Sequence, residues 1–313
     1  MARKGEAIAR YLIRRLAYSL LVVLGVLVFV FFMVQAVGDP VSLMLPSEVA
    51  PEIRENMRET LGLNDPLHER FFREVGGWVR GDFGDSLWQD TPALPLALSR
   101  IPNTLFLTAV SLAIALPLAI VLGAISAIRP RSLMDRTLTA VSLAGVSVAD
   151  FWLGLMLILV VSVQLQWLPT SGFGGIRYAI LPALALAFRP IGRIAQVARS
   201  ALVEEMEKPY ILTARSKGLT ERAVVWRHAL RNAAIPTITV TGDETATFLN
   251  GAVVIETIFA WPGIGQLFIQ AIQRRDLPLV EACVFVVALM TITLNLIVDL
   301  SYAAIDSRAR IQK

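Results

Sequence analysis

The feature that most constrains this chain is residues 17–37, AYSLLVVLGVLVFVFFMVQAV, a run without one charged side chain. A helix needs about 20 mostly apolar residues to cross the ~30 Å hydrocarbon of a bilayer. This run is long enough, and it exceeds the ~7–15 apolar residues of a cleaved signal peptide. Others follow it. Residues 104–128 are uncharged, with Pro117 tolerable as a kink in lipid. Residues 137–168 are apolar apart from Asp150, and 281–302 hold an uncharged stretch between Glu281 and Asp299. Two weaker spans are 180–202, carrying Arg189, Arg193 and Arg199, and 236–259, carrying Asp243, Glu244 and Glu256. The pattern predicts an all-α integral membrane fold with six transmembrane helices. Composition agrees, with 55% apolar residues, 17% charged and a mean hydropathy of +0.62. Soluble domains carry roughly 25% charge, and a water-soluble fold could not hide so much apolar surface. A cytosolic enzyme and a disordered chain are both disfavoured. A net charge of +4 is too mild to imply a nucleic-acid partner. The lone Cys283 allows no internal disulfide, and two distant histidines make no metal site by themselves.

Orientation follows from where Lys and Arg lie in short loops. The tail 1–16 holds Arg3, Lys4, Arg10, Arg14 and Arg15, which places the N-terminus in the cytoplasm. With six spans, the loop around Arg129, Arg131 and Arg136, the segment 203–235 and the tail 303–313 also fall inside. The loops 38–103, 169–178 and 260–280 fall outside. The first of these has eleven acidic and six basic residues, so the basic excess stays on the cytoplasmic side. Within it, 51–61, 67–79 and 93–101 read as short helices, the first with Pro51 in its opening turn and Gly62 as a stop. They predict a small external subdomain.

The cytoplasmic segment 203–235 is cation-rich, and Gly218 splits it into two amphipathic helical halves. Thr220 is placed to cap the second half, with Glu221 in its first turn. Its sequence TARSKGL (213–219), followed by HALRNAAIP (228–236), resembles the EAA-type coupling loop of ABC-transporter permease subunits. The nearest branch is the dipeptide/oligopeptide/nickel importers. The resemblance runs along nearly the whole chain: YLIRRL (11–16), GDPV (38–41), LGLNDPL (61–67), GDFGDS (81–86), RIPNTL (100–105), FWLGLMLI (151–158), LQWLPTSGFGG (165–175), ILPALALA (180–187), GAVVIETIFAWPGIG (251–265) and NLIVDLSYAAIDSR (295–308). One departure is that the triplet aligned with the acidic-Ala-Ala pattern is Leu212-Thr213-Ala214. A second is the density of charge in the fourth and fifth spans.

The resemblance implies a permease subunit of an ATP-driven importer for peptides or similar small polar solutes. It implies a prokaryotic inner-membrane location and a core permease region of about 95–305. The implied partners are a second, related permease (as a heterodimer), two cytosolic ATP-binding subunits and an external binding protein. The sequence contains no G-x-x-x-x-G-K-[ST], so ATP and Mg are expected on the partners and no cofactor on this chain. The expected ATPase-coupling residues are Glu205, Thr213, Ala214, Arg215, Lys217, Gly218 and Arg222.

Ionisable groups inside a bilayer cost at least ~2.5–3.5 kcal/mol each on insertion scales, so they need partners or water. Arg189 and Arg193 are i,i+4 and share a helix face. Arg193 lies ~15 Å from the cytoplasmic end of its span, and Asp243 and Glu244 lie ~10–12 Å into theirs. The depths predict an Arg193–Asp243 or Arg193–Glu244 pair, with Arg189 facing the path or Asp150. These five residues either line a wet translocation path or pair only to fix helix packing. An ion-coupled secondary transporter using the intramembrane carboxylates is the alternative function.

Overall fold

The computed structural model describes residues 18, 21–32, 50–60, 64–128 and 130–305. The tails 1–16 and 306–313 lie outside the described residues, as do parts of the first span and of the loop after it. The chain divides into two compact units, residues 1–101 with 267–292, and residues 102–266 with 293–313.

The first unit begins with the apolar helix α1 (Leu21–Phe32). The acidic stretch after it forms α2 (Pro51–Thr60) and α3 (Leu67–Arg80). Gly81 ends α3 because it adopts φ +77°, a left-handed conformation open to glycine, and its N–H bonds back to the Trp78 carbonyl. A two-residue hairpin that sequence patterning does not reveal follows, β1 (Asp85–Ser86) against β2 (Thr91–Pro92), and leads into α4 (Ala93–Ser99). These pieces are tied to the start of α12 (Leu277–Ile305) by buried polar contacts. Asp276 accepts from Ser86 Oγ at 2.5 Å, from the Trp88 N–H at 3.1 Å and from the Leu279 N–H at 3.2 Å. Trp78 Nε1 donates to Glu281 at 3.2 Å, and Phe83 packs on Phe285 at 5.1 Å between ring centres. Burial pushes the Glu74 carboxyl up from its ordinary range.

The second unit is built around α8 (Ile176–Met206), on which α6 (Leu133–Ser147), α7 (Asp150–Leu157) and α10 (Leu230–Ile258) all pack. Small residues let the backbones close in, as membrane helix pairs require. A Cβ on Gly192 would strike the Ser142 carbonyl, and one on Gly123 of α5 (Ile101–Ile128) would come within 2.9 Å of the Ala195 carbonyl. The buried core runs through Leu107, Leu186, Phe248, Ile255 and Phe259.

Among the described residues three helices are long and apolar enough to cross a membrane: Ala93–Ile128, Ile176–Met206 and Leu277–Val298. The expected single helix over 137–168 is instead two, bent by 103°. Val148 and Ala149 are both extended, so the hydrogen-bond ladder stops at Ser147 and restarts at Asp150. The second piece then widens into π-helical turns over Ile158–Gln164. The expected break at 235/236 is absent. A helical turn at Glu221–Ala223 and π turns at Val224–Ala229 run without interruption into α10. The loop 260–280 contains a further helix, α11 (Ile264–Arg274).

Candidate functional site

The segment 203–235 contains a helix–turn–helix. Pro209 opens α9 (Pro209–Ser216), with its fixed φ suited to a first helical turn. Gly218 closes the helix at φ +79°, and the two backbone bonds of a Schellman turn follow. The Gly218 N–H reaches the Arg215 carbonyl at 2.9 Å, and the Leu219 N–H reaches the Ala214 carbonyl at 3.4 Å. A Cβ at Gly218 would meet nothing within 4 Å, so the demand for glycine there is one of backbone conformation and not of space. Thr220 caps the next turn, its Oγ1 accepting from the Ala223 N–H at 3.4 Å. Arg215 straddles the turn with a two-pronged bond to Glu221, at 2.7 and 3.1 Å.

The seven residues expected to carry coupling divide by direction. Thr213, Arg215, Lys217, Gly218 and Arg222 are exposed. Ala214 is buried, packed with Leu202, Ile211, Val224 and Val225. Glu205 also faces inward. It pairs with Lys208, accepts from Tyr210 Oη at 2.6 Å, and Tyr210 in turn accepts from Asn232 Nδ2 at 3.0 Å. The Glu205 carboxylate holds the Lys208 ammonium above its ordinary range. Burial, then the bond to Glu205, raises the Tyr210 phenol. Ala214 and Glu205 therefore hold the segment from beneath. Leu212 and Trp226 are exposed apolar side chains in this segment, and Arg222, Arg227 and Arg231 are exposed cations. Trp226 lines a surface depression with Thr220, Arg222 and Ala223.

Of the charges expected within the spans, one pair assembles. Arg193 Nη1 lies 3.0 Å from Glu244 Oε1, which selects Glu244 over Asp243 as the partner. Glu244 is 0% exposed, while the Arg193 side chain is 53% exposed. The approach is off the line of a hydrogen bond, and neither Glu244 oxygen has a hydrogen-bond donor among the described residues. Asp243 is exposed. Arg189 is half-buried and its charge acts on Asp150, which lies 3.5 Å from where a Gly251 Cβ would stand; no ion pair joins the two among the described residues.

Two clusters were not anticipated. Asp135 is almost fully buried and takes both prongs of Arg199, at 2.6 and 2.7 Å, together with Ser126 Oγ and the Arg131 N–H. At the other end of α10, Glu256 accepts from Thr104 Oγ1 at 2.5 Å and from the Gly265 and Gln266 N–H groups at 2.8 and 3.2 Å. Asn103 and Trp261 close the same knot: Trp261 Nε1 donates to the Asn103 carbonyl, and Asn103 Nδ2 donates to the Pro262 carbonyl. The readable signal was the pair of glycines seven and nine residues after Glu256. A Cβ on Gly263 would collide with the carboxylate. Among the described residues no group of three or more His, Cys, Asp or Glu could hold a metal ion.

The comparisons with known proteins bear on both the fold and the family. The family described as "Binding-protein-dependent transport system inner membrane component" matches residues 119–311, and the N-terminal family of the same systems matches residues 8–108. The chain is 39% identical to the oligopeptide transport system permease protein AppB of Bacillus subtilis (strain 168), covering 96% of this chain and 99% of that one. It is 36% identical to the di/tripeptide transport system permease protein DppB of Pseudomonas aeruginosa, covering 97% and 99%. It is also 36% identical to the glutathione transport system permease protein GsiC of Escherichia coli (strain K12), covering 96% and 98%. In fold it resembles the MetNI methionine ABC transporter (TM-score 0.55, 18% identity, 67% of this chain and 96% of that one). It likewise resembles an amino acid ABC transporter solved with histidines (TM-score 0.53, 17% identity, 67% and 94%). An ion-coupled carrier finds no support in these likenesses. The chain belongs to the inner-membrane permease subunits of binding-protein-dependent ABC importers, in the peptide, oligopeptide and nickel branch.

Proposed function

We propose that this permease forms half of the transmembrane pathway for peptides or similar small polar solutes. The names of its relatives favour peptides and glutathione as the class of cargo. In this reading six spans cross the membrane, at 17–37, 104–128, 137–168, 180–202, 236–259 and 281–302, the third of them as the bent pair α6 and α7, with both termini in the cytoplasm. A second, related permease completes the pathway. Two cytosolic subunits bind ATP and Mg, and a binding protein docks outside on 38–103 and 260–280. Asp150, Arg189, Arg193, Asp243 and Glu244 lie along the path.

The segment 203–235 is the contact with the ATPase. One observation carries this reading: the Gly218 turn is clamped on both sides, and the helix that leaves it runs unbroken into α10. A push on the exposed residues Thr213, Lys217, Arg222 and Trp226 is thus carried into α10 by a continuous run of helical turns. Glu205, Ala214 and the Arg215–Glu221 bridge keep the segment rigid under that load.

Replacing Gly218 with valine tests the idea. A β-branched residue at φ +79° is strained by about 1–2 kcal/mol or more, which unwinds the turn while leaving the spans intact. The variant is expected to insert and to co-purify with its partners while solute uptake falls at least about tenfold relative to ATP hydrolysed. Uptake and solute-stimulated ATPase both equal to wild type would refute the reading.

A further inference from the structure

The Arg193–Glu244 pair is an unusual way to bury a carboxylate. Glu244 is fully enclosed between α8 and α10, and both of its oxygens lack a hydrogen-bond donor among the described residues. Its compensation is one guanidinium nitrogen at 3.0 Å, off the hydrogen-bond line. Buried carboxylates held for stability alone gather donors, as Glu256 and Asp135 do in this chain. Glu244 instead tethers a cation whose side chain stays half exposed.

An arginine offers five N–H donors in a planar fork, matched to the two oxygens of a carboxylate. Here one edge is turned to Glu244, and the rest of the fork faces a surface that nothing among the described residues of this unit covers. The buried anion holds the guanidinium from behind, so a ligand need not pay to order it. It also cancels the resident charge, which keeps the site from trapping every passing anion. The loose geometry leaves the fork free to trade part of its contact with Glu244 for a better-aligned partner. We propose that the Arg193–Glu244 pair is a carboxylate-recognition site, its ligand the free carboxylate of a peptide-like solute. This assignment rests on the path reading given under Proposed function.

The test uses the assembled importer in nanodiscs, without its binding protein, in a Cys283→Ser background. Arg189→Cys, one helical turn from Arg193, reports access through its labelling rate with a water-soluble maleimide. The probes are trialanine and trialanine amide at millimolar concentration, with and without ATP. Trialanine is expected to slow labelling about tenfold and the amide hardly at all, since the two differ in one charge-assisted, two-pronged contact. In Arg193→Gln/Glu244→Gln, protection by trialanine is expected to fall to that of the amide. The double change avoids stranding the buried carboxylate, and co-purification of the partner subunits checks its assembly. Equal protection by acid and amide, no protection by the acid, or protection that survives the double change would each overturn carboxylate recognition while leaving the path reading in place. If the introduced thiol is never labelled in either nucleotide state, the path reading falls and takes this assignment with it.

Discussion

Glu244 and Glu256 sit on the same helix, about three turns apart, and both are fully buried. Their surroundings are opposite. Glu256 receives a hydroxyl and two backbone N–H groups at the start of α11, where a helix N-terminus favours a negative charge. Glu244 receives no hydrogen bond from a described residue and leans on one half-exposed cation. Burial alone therefore does not tell what a carboxylate is for. The number of donors aimed at it does: a saturated carboxylate fixes a fold, and an unsaturated one leaves its neighbour available.

The sharpest way to break the comparison is at the glycines that make room for Glu256. Gly263→Val drives a side chain into the carboxylate and is expected to abolish folded permease, read as loss of the monodisperse peak in fluorescence-detected gel filtration. A normal peak would show that the knot is dispensable. Glu256→Gln comes next, because an amide cannot accept from the Thr104 hydroxyl at one end and from the Gly265 and Gln266 N–H groups at the other. It is expected to cost about 2–4 kcal/mol, measured as a fall in Tm of the detergent-solubilised complex. Asp135→Asn removes one prong from Arg199 at a site of the same saturated kind, and a loss of about 2 kcal/mol is expected by the same measurement. Glu244→Gln is expected to shift stability by less than about 1 kcal/mol, since no hydrogen bond is lost and a buried charge is removed. A Tm drop for Glu244→Gln as large as that for Glu256→Gln would erase the distinction.

The sequence made some of this legible and hid the rest for physical reasons. Uncharged runs announce helices: one helix covers 104–128 and another 281–302, while the run at 137–168 is broken at Val148–Ala149. Gly218 and Thr220 announced the turn after α9 because a left-handed residue and a cap are local demands. Helical spacing and depth narrowed the partner of Arg193 to two adjacent carboxylates, and packing chose between them. Glu256 was legible only as a charge weakening a span. Its donors come from residues 104, 265 and 266, and only the tertiary fold brings them together. The break at Val148–Ala149 was equally hidden, because Val148 and Ala149 are at home in an apolar helix and carry no proline or glycine to mark a stop.

The pairing across α8 and α10 also sets a schedule for making the protein. α10 is not among the three helices apolar enough to span by their own hydropathy. Arg193 leaves the ribosome about fifty residues ahead of Glu244. At ordinary elongation rates that is an interval of roughly 3–10 s. During it the newly made α8 carries a cation whose buried anion has not yet been synthesised. Completion of α10 supplies that anion, so a nascent chain that stalls between the two residues displays a charge the finished fold neutralises.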